Sequence, residues 1–247
     1  MAQSGVGKIR LFDDFCGPEI PVAITVANTA AAGYYIGPYA IKGDLADNDA
    51  GVVALAITSG AVRLTGTNED TFGCALTTEQ IFSPALNGTI VVEARVQTQV
   101  LTAREIFVGL SSVAAEDIIP PLTYVGATST TNTAANFAGF FLSTELTAAG
   151  YWHCVYNGGT TTGPTVTTGT NSGVLAVAAE WDVLRLEVDP NGTVRWWING
   201  NLEFTVATAV STTVLQGVIC SPFANANTVT DLDVDYLLVE ANRDWTR

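Results

Sequence analysis

Three aspartates, Asp231, Asp233 and Asp235, stand two apart in "DLDVDY". On a strand that spacing puts all three carboxylates on one face. They read as a solvated polar face, a calcium site or a row of interface salt bridges. A second oxygen-rich run, "GDLADNDAG" at 43–51, offers Asp44, Asp47, Asn48 and Asp49. So closely spaced, the oxygens of Asp44, Asp47 and Asp49 are candidate calcium ligands, although the run does not match an EF-hand loop and Asx-rich turns form without metal. No further cofactor is expected. The pair Glu187 and Asp189 could suit glycosidic cleavage, which needs two carboxyls about 5–9 Å apart on one face, but Asp189 falls in a turn.

His153 is the single histidine and lies in "YWHCVY". Any Ser-His-Asp or Cys-His relay must use it, yet Cys154, its neighbour on a strand, points to the opposite face. A structural histidine in a packed strand is the expectation, and a three-histidine metal site is excluded. "GVGK" at 5–8 has neither the spacing nor the preceding strand of a phosphate cradle. Cys16, Cys74, Cys154 and Cys220 contain no C-x-x-C pair. Small buried thiols are expected in a reducing compartment, with two disulfides as the alternative.

The elements that would hold these residues are strands. In "WDVLRLEVDPNGTVRWWINGNLEFTV", 181–206, Leu184, Leu186 and Val188 alternate with Arg185, Glu187 and Asp189, the period of a half-buried strand. Asp189-Pro190-Asn191-Gly192 and Asn199-Gly200 are turn sequences, so the segment predicts a three-stranded meander. Trp196 and Trp197 must point to opposite faces: one into the core, the other to a sugar platform, an interface or a second covered face. Further strands are expected at Lys8 to Phe12, Val52 to Thr58, Ala61 to Thr65, Gly88 to Gln97, Glu105 to Leu110, Asn136 to Leu142, Tyr151 to Tyr156, Leu215 to Ser221 and Thr230 to Ala241. Single helical turns are possible only at 76–82 and 144–150. The Thr/Gly-rich stretches "GATSTTNTAAN" and "NGGTTTGPTVTTGTNSG" read as long loops or a projecting hairpin.

The 247 residues are read as one all-β sandwich over 8–241, with an N-terminal arm at 1–7 and a C-terminal tail at 242–247. Ten Lys+Arg against 24 Asp+Glu give a net charge of −14, which sets nucleic acid aside because tracking phosphates needs clustered cations. Charged residues are 14%, yet no apolar run approaches the roughly 18 residues of a membrane span. A skin so rich in Thr and Ala suits a protein whose outside is partly covered by neighbours, and equally a tightly packed sandwich. "MAQSGVGKIRLFDDF" lacks the apolar segment of a secretory signal, so synthesis is expected to end in the cytoplasm.

The strand segments "KIRLFDDF", "GTIVVEARVQTQ", "EIFVGLSS", the 181–206 meander and "DVDYLLVEANRD" follow an order that resembles the concanavalin A-like lectin/glucanase jelly roll. The resemblance implies an antiparallel jelly-roll sandwich with its first and last strands side by side. Glucanases of this fold carry a Glu-x-Asp-x-Glu or Glu-x-Asp-x-x-Glu run, and none occurs here, so no enzyme is expected. "KIRLFDDFCGPEI" further resembles jelly-roll structural proteins of tailed bacteriophages, such as capsid decoration or cement proteins. That implies a homotrimer on the major capsid protein lattice, made in the host cytoplasm and ending on the capsid surface. The alternatives are a glycan-binding module of a phage tail or fibre, and a cellular lectin. Contact residues expected on this reading are Gln3 and Val6 in the arm, Thr160, Thr161 and Thr162 in a Thr-rich loop, and Trp245 in the tail.

Overall fold

The computed structural model describes residues 7–17, 23–25, 34–43, 50–115, 117–166 and 169–244. In chain order the strands are β1 (Lys8–Asp13), β2 (Ala23–Thr25), β3 (Tyr34–Ile36), β4 (Tyr39–Lys42), β5 (Gly51–Ala54), β6 (Val62–Thr65), β7 (Ala75–Thr77), β8 (Ile90–Gln97) and β9 (Arg104–Ser111). They continue with β10 (Leu122–Gly126), β11 (Ser129–Asn132), β12 (Phe137–Ser143), β13 (Tyr151–Asn157), β14 (Asn171–Leu175), β15 (Asp182–Val188), β16 (Val194–Ile198), β17 (Asn201–Val206), β18 (Gly217–Ala224) and β19 (Asp231–Asn242). One helical turn, α1 (Pro84–Asn87), separates β7 from β8, with Pro84 in its first turn, where a missing N–H costs nothing.

Two antiparallel sheets form a jelly-roll sandwich of the concanavalin A-like type. The nine-stranded sheet runs β17-β16-β15-β8-β19-β6-β5-β2, with β1 also on β19. The eight-stranded sheet runs β14-β13-β12-β9-β18-β7-β4-β3, and β10-β11 form a separate hairpin. The first and last strands are paired from Lys8↔Asn242 to Asp13↔Leu237. The expected meander is β15-β16-β17, and its tight turn places Asn199 at φ 50° and Gly200 at φ 83°. Positive φ at both central residues matches the right-handed twist of the strands it joins.

Between the sheets lies the main core, with Ile106, Val108, Leu110, Phe140, Trp152, Leu184, Leu186, Trp196 and Val234 all buried. Polar tips of three buried aromatics tie the sheets together. Trp152 Nε1 donates to Asp182 at 2.9 Å, Trp196 Nε1 to the Gly139 carbonyl at 2.8 Å, and the Tyr39 hydroxyl to the Leu237 carbonyl at 2.8 Å. Buried N–H and O–H groups must be paired, and here each pairing also fixes one sheet's register against the other.

Several local expectations are corrected. Residues 76–82 are not a helical turn: Ala75–Thr77 form β7, paired with β18 and β4. Residues 144–150 are turns without helix. All four cysteines are free; Cys74, Cys154 and Cys220 are buried as expected, whereas Cys16 is exposed.

Candidate functional site

A sandwich offers two outer faces, and here they differ. Along β9, Ile106, Val108 and Leu110 enter the main core, so Glu105, Phe107, Gly109 and Ser111 point outward from the eight-stranded sheet. Register places Phe141 and then His153 beside Phe107. This face is not open. Phe107, Phe137, Phe141, Val155, Ile219 and Phe223 form a second core with Ala114, Ile118, Leu122, Ala134 and Leu146, which come from the 112–136 segment and the turns after β12. Gly109 and Gly139, paired across β9 and β12, make this packing possible: a Cβ on Gly139 would lie 2.6 Å from the Phe107 ring.

The polar groups on this face are built into the packing. Glu105 is 2% exposed and accepts from the Tyr124 backbone N–H at 3.0 Å under the β10-β11 hairpin. Burial pushes its carboxyl up to about 7, opposed by the Tyr124 and Ser143 hydrogen bonds and assisted by the charges of Asp70 and Glu145. His153 is fully buried, with Nδ1 3.1 Å from the Thr170 hydroxyl, while Cys154 enters the main core on the opposite face. The two cannot form a nucleophile-base pair.

The outer face of the nine-stranded sheet is polar and open to solvent. Arg63 makes a bidentate pair with Asp233, whose side chain is 2% exposed, Arg95 pairs with Asp235 at 2.6 Å, and Arg10 pairs with Glu240 at 3.1 Å. At one end Arg104 pairs with Asp231 at 2.8 Å. Asp231, Asp233 and Asp235 are therefore an intrachain salt-bridge row. On this polar face each carboxylate is paired within its own chain, Asp233 with Arg63 on β6, Asp235 with Arg95 on β8 and Asp231 with Arg104 on β9 of the other sheet. With their charge already balanced, the three are poorly disposed to ligate calcium.

Across β8, β15 and β16 the register aligns Glu93, Arg185 and Trp197. Arg185 donates to Glu93 at 3.0 Å and to Glu187 at 2.8 and 2.9 Å; Arg195 donates to Glu187 and to Asp189. The Tyr236 hydroxyl donates to Glu93 at 2.9 Å. Trp196 is the core tryptophan and Trp197 the outer one, half-buried at the floor of a shallow pocket of about 220 Å³ rimmed by Glu93, Val183, Arg185, Glu187 and Gly200. Glu93 and Glu187 lie on one face, and Arg185 donates a hydrogen bond to each.

The sequence-derived candidates are scattered. Asp44, Asp47, Asn48, Asp49, Gln3, Val6 and Trp245 lie outside the described residues. Thr160 and Thr161 do not project: their hydroxyls bond Thr208 Oγ1 and the Ala207 carbonyl, each at 2.7 Å, which docks that loop on the turn after β17. Thr162 is exposed beside them. "GATSTTNTAAN" forms the tip and return strand of the β10-β11 hairpin. Its Thr130 N–H bonds the Thr165 carbonyl, so the two Thr-rich stretches adjoin, with Val125 and Val166 exposed.

No family model matches the sequence, and no curated protein matches it. Solved structures do match by shape. A protein of unknown function from Shewanella oneidensis MR-1 superposes with a TM-score of 0.62 at 10% identity, covering 100% of this chain and 92% of that one. Bacillus licheniformis β-glucanase gives 0.52 at 14% identity over 96% and 99%. The carbohydrate recognition domain of Emp47p gives 0.50 at 12% identity over 80% and 90%. Identities this low speak to the fold, a jelly roll shared with carbohydrate-related proteins.

Proposed function

We propose that this chain is a non-enzymatic structural protein of a tailed-bacteriophage virion, a decoration protein that seats on the major capsid protein lattice as a homotrimer and stabilises the shell. The observation that carries the non-enzymatic part is the closed outer face of the eight-stranded sheet, filled by Phe107, Phe137, Phe141 and Phe223 under the chain's own loops. A catalytic cleft needs a concave site with a few placed polar groups, and here packing occupies that space. On the other sheet Asp233 and Asp235 each pair with an arginine, and Glu93 and Glu187 share Arg185.

What remains is surface. The hairpin over the closed face carries Val125, 58% exposed, next to the loop bearing Val166, 49% exposed, a tip suited to burial against a neighbour. The resemblance of "KIRLFDDFCGPEI" to phage structural proteins supports the shell as that neighbour. On this reading the protein is made in the host cytoplasm and joins the capsid surface, and binding only the assembled lattice stabilises the lattice by mass action. One observation favours a second reading, a glycan-binding module of a tail or fibre: the open ring of Trp197 with Arg185 and Glu93 at its rim.

The test is co-sedimentation with purified shells of the source virus that lack this protein, alongside light scattering of the free chain. Saturable binding by a trimer is the expected result. A monomer that ignores shells and instead binds or degrades a polysaccharide would overturn the proposal.

A further inference from the structure

On the outer face of the nine-stranded sheet, cations sit on aromatic rings beside a carboxylate in two places. Arg95 lies over the Trp181 ring at 4.7 Å while pairing with Asp235. Arg10 lies over Phe12 at 5.7 Å while pairing with Glu240. In both, one guanidinium meets one carboxylate, and the ring's negative π face adds attraction.

Trp197 differs: the guanidinium beside it, Arg185 on the neighbouring strand, is shared by two carboxylates, Glu93 and Glu187. The pocket lining holds two carboxylates, Glu93 and Glu187, against one guanidinium, Arg185, while Arg195, which reaches Glu187 at 3.4 Å, is held by Asp189 outside the pocket, so one negative charge is left over at the lining. Among the described residues no Lys or Arg lies over the Trp197 ring. Its Nε1 is buried, with no acceptor among the described residues, so the indole offers its hydrocarbon and π surface outward rather than its N–H. The pocket above it holds about 220 Å³, room for a side-chain head group.

We infer that the Trp197 pocket is a docking site for an ammonium or guanidinium group, a lysine or arginine side chain on the surface of a protein partner. Charge complementarity selects this occupant. The chain carries a net −14, seven of its cations are already in ion pairs among the described residues, and the pocket lining sets Glu93 and Glu187 against Arg185 alone. A neutral sugar could stack on the ring but would leave the extra charge unanswered. The inference does not depend on the shell proposal. A pocket that fails leaves shell binding untouched, and shells that do not bind leave the pocket standing.

The experiment follows the indole N–H signals of the intact protein by NMR, assigning Trp197 with W197L. The probe is Nα-acetyl-lysine N-methylamide; its Nε-acetylated form and methyl glucoside are the controls. The Trp197 signal should shift saturably with the lysine probe, less so at high salt, and not with either control. E187Q should weaken the probe roughly five-fold, the size expected for one surface ion pair. The unmoved signals of Trp152 and Trp196 report that each variant is folded. A Trp197 signal indifferent to the lysine probe, one moved equally by the acetylated probe or by the sugar, or unchanged affinity in E187Q, each overturns the inference.

Discussion

Glu105→Gln should make the protein more stable at alkaline pH and change it little in acid. Glu105 is held under the β10-β11 hairpin with its carboxyl raised from 4.5 to about 7, chiefly by burial. Between those values the folded chain keeps the proton that the unfolded chain has lost. Stability therefore falls as pH rises through the window from 4.5 to 7, and the full cost is present above it. At about 1.4 kcal/mol per pH unit, that cost is about 3 kcal/mol. Glutamine keeps an oxygen for the Tyr124 N–H and removes the charge. Urea unfolding of both proteins at pH 5 and pH 8.5 isolates the effect, because every other titrating group cancels in the difference. The variant should be more stable by up to about 3 kcal/mol at pH 8.5 and by under about 1 kcal/mol at pH 5. A difference independent of pH would refute a buried, late-ionising Glu105, and with it the closed face built over it.

The two adjacent tryptophans should behave oppositely. Trp196→Ala should cost about 3–5 kcal/mol, because it empties the core and orphans the Gly139 carbonyl, while Trp197→Ala should cost about 1 kcal/mol or less; urea midpoints compare them. Asp233→Ala should cost about 1–3 kcal/mol, since it strips a bidentate partner from Arg63, whose side chain is partly open to water, and no loss at all would contradict that geometry. A thiol reagent should label Cys16 alone in the native protein and all four cysteines in denaturant. Burial pushes Cys74 and Cys220 up to about 12, so their thiolates are scarce as well as covered.

The nine-stranded sheet was legible because one of its faces is wet. Alternation in 181–206, in "VVEARVQ" and in "DLDVDYLLVEA" marks β15 to β17, β8 and β19, and the same period separates Trp196 from Trp197. The eight-stranded sheet is buried on both sides, so β9, β12 and β18 read as apolar runs whose second face has no visible cover. That cover comes from 112–136 and Leu146, segments whose Thr, Ala and Pro content resembles an exposed loop. Short strands such as β3, β4 and β7 span too few residues to show a period, and β11 is polar. The Trp197 pocket was half legible. Its tryptophan follows from strand period, but the Arg185 to Glu93 contact joins residues 92 apart and depends on the pairing of β15 with β8.

The central claim, a protein that works by stabilising a shell, is tested most directly by heating. Purified shells of the source virus lacking this chain are melted with and without it, and release of packaged contents is followed. The account predicts a higher release temperature that saturates with added protein and is kept by Glu105→Gln, whose change lies in the interior. Shells that release their contents at the same temperature at every protein concentration would contradict it.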